Sequence, residues 1–255
     1  MLRGIYTAAS AMSMQEAAQA VTANNLANVN TPGFRGDVAT FESFRLAALT
    51  RSHDGPVQSF DNPGGEIGEL GGGAIAQEFR MNLLDGSIRP TGSGLDVAAN
   101  GNQYFVVRTA QGDRLTRAGA FTQSPEGNLV DALGNPVLGR DNRPIRLDPQ
   151  FPARIDGDGS IVVNGAKVAD LKVVAMAPGA KPVKEGGRLI RLEANQVTDV
   201  AQPRLTTQSL ETSNVSVIEE MVSMITAMRS YEAAQKAVHS EDETLAKALN
   251  EVAKI

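Results

Sequence analysis

The stretch from Ser216 to about Ala253 restricts the fold more than any other part of the chain. Its apolar residues recur in alternating steps of four and three, the spacing of a helix that packs along a seam. Neither Pro nor Gly interrupts it, so we predict one helix of about 55 Å at a rise of 1.5 Å per residue. A surface helix lying on its own domain is the alternative. The predicted seam consists of Val217, Met221, Met224, Met228, Tyr231, Val238, Leu245, Leu249 and Val252, with Gln235 and Asp242 as polar interruptions.

The N-terminal stretch from Leu2 to about Asn28 has the same rhythm and supplies a partner helix. It is rich in Ala, which lets another helix approach closely but buries little apolar area. We therefore hypothesise that this segment is poorly ordered in the free chain and folds on assembly, which amide hydrogen exchange would test. The predicted seam residues are Leu2, Ile5, Ala9, Met12, Ala23 and Leu26, interrupted by Glu16 and Gln19.

Composition excludes several kinds of function. The net charge of -5 argues against a nucleic-acid-binding surface, which would be basic. With no Cys and only His53 and His239, the chain lacks the residues for thiol catalysis, disulfides or a multi-histidine zinc site. Few aromatic residues and 25 Gly favour turn-rich β structure over a ligand pocket. We expect no cofactor, no metal, no nucleic acid and no small-molecule substrate.

The middle of the chain reads as short strands separated by turns. Ile75 to Met81 and Tyr104 to Val107 have strand patterns, and Gln111-Gly112 is placed to close a hairpin. Further strand candidates are Ile155, Ile161 to Val163, Leu171 to Val174 and Leu189 to Leu192; Phe41, Phe44, Leu46 and Leu49 fit a short helix or an extended arm. The predicted fold class is α+β, with long N- and C-terminal helices pairing in a coiled-coil layer and a central all-β domain of short strands.

The predicted division has four parts: an N-terminal helix with an Asn-rich segment at 1–34, a linker or wrapping region at 35–85, the central β domain at 86–207 and the long C-terminal helix at 208–255. No part carries a convincing catalytic motif. Asp156 to Ser160 imitates the start of a calcium loop, but its twelfth position is Lys167 instead of Glu, so we interpret it as a turn. Nothing combines a nucleophile, a base and an oxyanion donor, and we expect no enzyme.

Two segments at opposite ends of the chain resemble one family. The stretch Ala23-Asn-Asn-Leu-Ala-Asn28, followed by Thr31-Pro-Gly-Phe34, is similar to the N-terminal signature of bacterial flagellar rod and hook proteins. Leu210-Glu-Thr-Ser-Asn-Val215 with Glu219 to Ile225 and Arg229-Ser-Tyr-Glu232 resembles the terminal helix of that family. Thr116-Arg117 and Gly134 to Gly139 resemble its core, while Gln103 and Ser124 depart from the usual Gly and Asp.

The resemblance implies a structural subunit of the axial rod of the flagellar basal body. It implies polymerisation through the terminal helices with copies of itself and other rod and hook proteins, torque transmission and a position across the periplasm and cell wall. It also implies export from the cytoplasm through the flagellar type III apparatus, consistent with an N-terminus that lacks a signal-peptide pattern. We include Asn24, Asn25, Leu26 and Asn28 in the predicted assembly interface, since buried Asn side chains can bridge subunits.

Alternatives remain at this point. The first residues, Met1 to Ser10, are most similar to the proximal-rod type, and the distal-rod type is second. A different class is an autonomous coiled-coil oligomer whose β domain binds a separate ligand; it predicts a soluble, closed oligomer. A third is an enzyme acting on peptidoglycan, which would need an acid pair that the sequence does not show.

Overall fold

The computed structural model describes residues 2–43, 47–50, 66–70 and 73–252, and these residues form an α+β protein. A long helix lies at each end, and the region between the helices is rich in β-strands. The coarse fold class predicted from the sequence is therefore confirmed. The pairing of the two helices in a coiled coil stays a prediction.

The two helices follow from composition and from their end signals. Helix α1, Leu2–Ala27, consists mainly of residues that favour helix, Ala above all. The chain turns at Pro32-Gly33, where Gly33 has a φ of 67° and lies so close to the backbone of Arg117 and Ala118 that a side chain would collide with it. Helix α2, Val217–Val252, carries Glu219 and Glu220 in its first turn, where carboxylates interact favourably with the helix dipole.

Nineteen strands lie within the described residues, most of them short. In chain order they are β1 Asp37–Ser43, β2 Ala47–Thr50, β3 Glu66–Leu70, β4 Ala74–Met81, β5 Ile88–Pro90, β6 Val97–Ala99, β7 Gln103–Thr109, β8 Gly112–Thr116, β9 Thr122–Gln123, β10 Leu129–Val130, β11 Ala153–Ile155, β12 Ser160–Val163, β13 Ala166–Asp170, β14 Val173–Met176, β15 Val183–Glu185, β16 Leu189–Arg191, β17 Val197–Asp199, β18 Leu205–Thr207 and β19 Ser209–Glu211.

The chain forms two compact units. Unit 1 consists of the described residues of Met1–Asn24, Val38–Arg80 and Ile218–Ile255, and it contains most of both helices. Its strands form two two-stranded sheets, β1 with β4 and β2 with β3; Ala47 pairs with Leu70 in the antiparallel second pair. Unit 2 consists of Asn25–Asp37 and Met81–Val217, so it takes the end of α1 together with the strands from β5 onwards.

Unit 2 is built around a six-stranded sheet with the strand order β15-β16-β8-β7-β14-β17. Side chains alternate along the buried strand β7, as the pleat of a strand requires. Phe105 and Val107 join the main core, whereas Tyr104 and Val106 belong to a second cluster. The main core also contains Phe121, whose ring meets that of Phe105 edge-on at 5.3 Å. Both faces of the sheet are thus used for packing.

Several predicted strands are confirmed. Ile75 to Met81 lies in β4, Tyr104 to Val107 in β7 and Ile161 to Val163 in β12, and the hairpin at Gln111-Gly112 joins β7 to β8. Phe41 lies in β1 and Leu49 in β2, so both of these residues are in extended backbone. Phe44, Leu46 and His53 fall outside the described residues. The unit boundaries lie within α1, β1 and β4 and at the start of α2. The division at 34, 85 and 207 expected from the sequence stays a prediction.

Candidate assembly interface

One face of α2 is buried or half-buried in steps of four and three, the heptad rhythm that the sequence predicted. The buried member is Ala227, and the half-buried ones include Met224 and Tyr231. The stripe alternates large side chains with small or acidic ones. We call it the inner stripe; it consists of Glu220, Met224, Ala227, Tyr231, Ala234, Val238, Glu241, Leu245 and Ala248.

Part of the inner stripe, at Ala234 and Glu241, lies beside α1 within unit 1. A Cβ added at Gly4 would lie 2.7 Å from Oε1 of Glu241, so the first turn of α1 passes directly over α2 at this point. The groove where the helices meet is lined by small side chains, which allow two helix backbones to approach closely. Its lining consists of Gly4, Thr7, Ala8, Ala11, Ala234, Ala237, Ser240, Glu241 and Thr244.

The opposite face of α2 is apolar and exposed near the start of the helix. Ile218, Val222 and Ile225 are separated by four and three residues, so they lie on one face, and Ile218 is 75 % exposed. Met221 and Met228 flank them and are about half exposed. We call these five residues the outer stripe. Isolated exposed apolar residues are ordinary, but a contiguous stripe of large ones marks a surface for a partner.

The predicted seam residues of α2 divide between these faces. Those on the inner stripe are Met224, Tyr231, Val238 and Leu245, whereas Val217, Met221, Met228 and Leu249 are exposed. The heptad spacing predicted that the large side chains of α2 lie along a single seam. In the structure, Ala227 and Ala234 belong to the inner stripe in place of Met228 and Gln235, and Ala234 lines the groove beside α1. A role for the exposed residues in assembly stays a prediction.

The predicted interface residues of α1 also differ in their exposure. Ile5, Met12 and Leu26 are half-buried, while Ala9, Ala23 and Asn24 are exposed; Leu2 lies in α1, and its side chain is outside the described part. The exposed positions of α1 recur in steps of three and four, so this helix too keeps one uncovered stripe. It consists of Tyr6, Ala9, Ser13, Glu16, Ala20, Ala23 and Ala27.

The signature residue Asn25 makes its contacts within the chain. Its Nδ2 donates to the carbonyl of Asp37 and its Oδ1 accepts from the backbone N–H of Asp37, both at 2.9 Å. This reciprocal pair fixes the end of α1 to the start of β1. Asn28 is half-buried at the end of the helix. Any contact of Asn25 with another subunit would be additional to this one.

Asn214 plays the corresponding part near the C-terminal signature. Its Oδ1 accepts from the N–H of Gly36 at 2.8 Å, and its Nδ2 donates to the carbonyls of Asn82 and Leu84 at 3.0 and 2.8 Å. One side chain therefore links three chain segments that are far apart in sequence. Together with Asn25, it joins the places where the chain enters and leaves unit 2.

A buried ionic cluster completes this junction. Arg117 is 1 % exposed and Glu211 is 2 % exposed, and their charged atoms approach to 2.8 Å. Arg35, equally buried, contacts Glu211 at 3.0 Å and Asp85 at 2.8 Å. Arg117 also binds Asp85 at 2.9 Å and donates to the carbonyls of Gly101 and Gln103. Two positive and two negative side chains are brought together, which offsets the cost of burying charge.

The hydrogen bonding of this cluster is incomplete among the described residues. The Nε of Arg117 lies close enough to Glu211 for an ion pair, but its angle is too poor for a hydrogen bond. Nε and Nη1 of Arg35 also lack hydrogen-bond acceptors. Removing either acid would therefore leave buried guanidinium groups with still fewer partners. We call this group the junction cluster: Arg35, Asp85, Arg117 and Glu211.

Lys184, in the edge strand β15, contacts the chain segment that contains Arg35 of the junction cluster. Its Nζ donates to the carbonyl of Arg35 at 2.6 Å and to Asp37 at 2.9 Å, and it lies 3.8 Å from the centre of the Phe34 ring. Burial lowers the pKa of Lys184, and the nearby Asp37 carboxylate opposes that shift. The segment after the Asn-rich signature is thus attached to strand β15.

The junction cluster was not predicted from the sequence. Arg117 and Glu211 were visible only as parts of the family resemblance, and nothing local indicates that either is buried. A signal was present, because Arg117 interrupts a buried segment in which Leu115 and Ala118 are apolar. Its partners lie 32 residues away at Asp85 and in the distant β19, so their pairing could not be inferred from spacing.

The described residues contain no grouping of three or more His, Cys, Asp or Glu suited to a metal ion. Asp158 binds the N–H and hydroxyl of Ser160, so the acidic segment before β12 is a turn, as predicted. The Ser160 hydroxyl lowers the pKa of the Asp158 carboxyl below its usual range. Among the helices that the structure describes, none is long and apolar enough to cross a membrane.

Comparisons with known proteins agree across the chain. Residues 5–35 match the family described as flagella basal body rod protein, residues 98–168 match the flagellar hook protein FlgE/F/G D1 domain and residues 206–251 match the flagellar basal body rod FlgEFG protein C-terminal. The chain is 30 % identical to the flagellar hook-basal body complex protein FlhO of Bacillus subtilis, with all of both chains covered.

Two further relatives are named as flagellar basal-body rod proteins. The flagellar basal-body rod protein FlgF of Caulobacter vibrioides is 29 % identical over 92 % of this chain and 91 % of its own. The flagellar basal-body rod protein FlgG of Bacillus subtilis is 30 % identical over 98 % of this chain and 99 % of its own. These identities are too similar to separate a proximal from a distal assignment.

The terminal helices, the β-rich unit and the matched segments at both ends define a structural protein of the bacterial flagellum. The chain belongs to the flagellar basal-body rod and hook family. It is a structural subunit of the flagellar basal-body rod and acts in motility. The family resemblance noted from the sequence is confirmed.

Proposed function

We propose that this chain polymerises through its terminal helices, that α1 and α2 pair in a coiled-coil layer, and that the resulting rod transmits torque. Its helices are long, and α2 keeps a heptad rhythm over its inner stripe. A contact distributed along long helices resists bending and twisting better than a few isolated contacts. Other rod and hook proteins are expected as partners, as the family implies.

The observation that carries this proposal is the outer stripe of α2. Ile218, Val222 and Ile225 expose large apolar side chains on the face opposite the inner stripe. Exposed apolar area of this kind is worth about 25 cal/mol per Å² when it is removed from water. Assembly would cover it, whereas a chain that acted alone would keep this surface exposed.

A matched pair of variants tests the proposal. Ile225→Asp places a charge on the outer stripe, and Ser223→Asp places the same charge on an exposed polar position two residues earlier. We expect Ile225→Asp to fold normally but to be absent from purified hook-basal bodies and to abolish swimming, because burying an unpaired charge is costly. Ser223→Asp should be incorporated. Normal motility of Ile225→Asp would contradict assembly through this face.

We further propose that the chain belongs to the proximal rod and reaches it through the flagellar type III export apparatus. The similarity of the first ten residues to the proximal-rod type supports the first point, and family membership supports the second. Calibrated immunoblots of purified hook-basal bodies should show a handful of copies per particle. A few tens would assign the chain to the distal rod. Persistence of the chain in basal bodies of an export-deficient strain would contradict type III export.

A further inference from the structure

Unit 2 carries an open groove of about 410 Å³ beside the junction cluster. Its apolar wall includes Leu83, Leu84, Met176, Pro178 and Ala180. Leu84 is 72 % exposed, and Leu83 is about half exposed. An apolar cavity with large exposed apolar residues on its rim is typical of a surface that receives another protein segment. We call it the Leu83–Leu84 groove.

Asp85 supplies the charge of this groove. Arg35 and Arg117 both donate to its Oδ1, and within the described residues its Oδ2 accepts no hydrogen bond. The Asp85 side chain is 53 % exposed and lines the groove. The groove thus combines apolar walls with one available carboxylate oxygen. A basic side chain next to apolar ones is the complementary chemistry.

The outer stripe of α2 presents this chemistry. Its apolar part extends from Ile218 to Met228, about 15 Å at 1.5 Å per residue. Arg229 follows at the same face, is exposed and makes no ion pair with a described residue. The rest of this face is charged and exposed, with Glu232, Lys236, Glu243 and Lys247.

The shortness of the outer stripe decides between two kinds of partner. A seam with another long helix needs apolar residues along its whole length. The outer stripe is apolar for only about three turns and then becomes charged, which suits a compact groove that has one carboxylate, Asp85, in its lining. The charges of the two surfaces are also complementary, because Asp85 lines the groove and the basic Arg229 follows the outer stripe.

We propose that the outer stripe of one copy docks into the Leu83–Leu84 groove of a second copy, with Arg229 against Asp85. This inference rests on the proposed function, because it identifies the surface that the outer stripe meets on the neighbouring subunit. The two surfaces belong to different parts of the chain, so the contact is head-to-tail. In a dimer formed by a head-to-tail contact, one copy of each surface stays unoccupied, so further subunits can add. An open filament forms when the rotation between neighbouring subunits does not close a ring.

Disulfide cross-linking tests the docking, and the chain is well suited to it because it contains no Cys. One epitope-tagged copy carries Leu84→Cys, and a second copy with a different tag carries Met228→Cys. Both are produced in one strain, and the purified hook-basal bodies are oxidised. A disulfide forms only when the two Cβ atoms approach to about 3.5–4.5 Å. We expect a band that carries both tags and disappears on reduction.

The control replaces Leu84→Cys with Leu133→Cys, which is a similarly exposed Leu on a turn outside the groove. This control should give no doubly tagged band. If both Leu84→Cys and Met228→Cys reach the basal body and no doubly tagged band forms, the docking proposal is wrong. Assembly through the outer stripe would still stand in that case, since it is tested separately by incorporation of Ile225→Asp.

A charge reversal tests the role of Arg229. Added to the Met228→Cys chain, Arg229→Glu should reduce the cross-link by about tenfold, because like charges would then meet at the groove rim. Lys236→Glu makes the same reversal on the same face two turns later and should change the cross-link by less than about twofold. Equal losses from the two reversals would overturn the assignment of Arg229 to Asp85.

Discussion

The junction cluster of unit 2 and the outer stripe of α2 differ in which groups they bury and which they expose. In the junction cluster, charged groups are buried and their partners come from the same chain, as with Arg117 and Glu211. On the outer stripe, apolar groups such as Ile218 and Ile225 are exposed, and the same chain does not cover them. The charged groups of the junction cluster find their ion-pair partners within one subunit, whereas we expect the outer stripe to be covered by another subunit.

This difference shows what the two end signatures do. Asn25, Glu211 and Asn214 lie in signature segments, yet their contacts join parts of unit 2. The signatures therefore contribute to the fold of the single chain. The residues that we propose for assembly, the outer stripe, lie in the first turns of α2 and partly within the C-terminal signature. Variants in the two regions should separate stability from assembly.

Arg117→Met should have the largest effect on stability. It removes the guanidinium from Glu211 and Asp85 and from two backbone carbonyls, Gly101 and Gln103, and leaves Glu211 buried with Arg35 as its remaining cation. Breaking a buried ion pair from one side costs about 3–5 kcal/mol. We expect a loss of that size in the free energy of unfolding, measured with urea on the full chain.

The control for this variant is Arg154→Ala, which breaks an exposed pair with Asp156. Exposed ion pairs contribute about 0–1 kcal/mol, so the change should be small. A loss below about 1 kcal/mol for Arg117→Met would mean that the junction cluster does not stabilise the subunit, and the contrast with the outer stripe would fail.

Asn214→Ala should have the next largest effect. The variant removes one acceptor and two donor contacts, and leaves the Gly36 N–H and the Asn82 and Leu84 carbonyls without this partner. At about 1 kcal/mol per hydrogen bond, we expect a loss of about 2–3 kcal/mol by urea unfolding. Asn30→Ala, at an exposed position after α1, should stay within about 0.5 kcal/mol of the original chain. Equal losses would contradict the special role of Asn214.

Met224→Asp and Ile225→Asp compare the two faces of α2 at adjacent positions. Met224 is half-buried on the inner stripe, so a carboxylate there should cost about 1–2 kcal/mol in the free chain. Ile225 is about half exposed on the outer stripe, and its substitution should change stability by less than about 0.5 kcal/mol while it blocks assembly. Thermal unfolding of both free chains measures the difference. If Ile225→Asp lost more stability than Met224→Asp, the assignment of the inner and outer faces of α2 would be wrong.

The sequence predicted the parts of this protein that local patterns determine. The heptad rhythm gave α2 and its start near Ser216, and the apolar run from Tyr104 to Val107 gave the central strand of the sheet. Two features of the structure could not be predicted from local sequence patterns. Pairing of Arg35 with Glu211 depends on folding across most of the chain, and the placement of Ala227 instead of Met228 on the inner stripe depends on which face of α2 the folded chain covers.

The smallest predicted effect concerns Glu185 at the edge of the six-stranded sheet. Its carboxylate accepts from Nε of Arg114 at 2.6 Å and contacts Nε of Arg191 at 2.7 Å. The hydrogen bond from Arg114 is the main reason why the pKa of Glu185 lies below its ordinary value of 4.5. Because the folded pKa is depressed, the unfolded chain binds more protons between the two values. The stabilisation is complete above pH 4.5 and is lost as the pH falls through the folded pKa.

Glu185→Gln removes this titration and keeps the shape of the side chain. The difference in Tm between the original chain and Glu185→Gln should be constant near neutral pH and should shrink as the pH falls below 4.5. Arg191→Gln leaves Arg114 in place and should retain most of the pH dependence. A Tm difference that does not change with pH would show that the Arg114–Glu185 pair adds nothing to subunit stability. The internal stabilisation of unit 2 would then depend on buried pairs such as Arg117 with Glu211, and exposed charges would remain available for contacts between subunits.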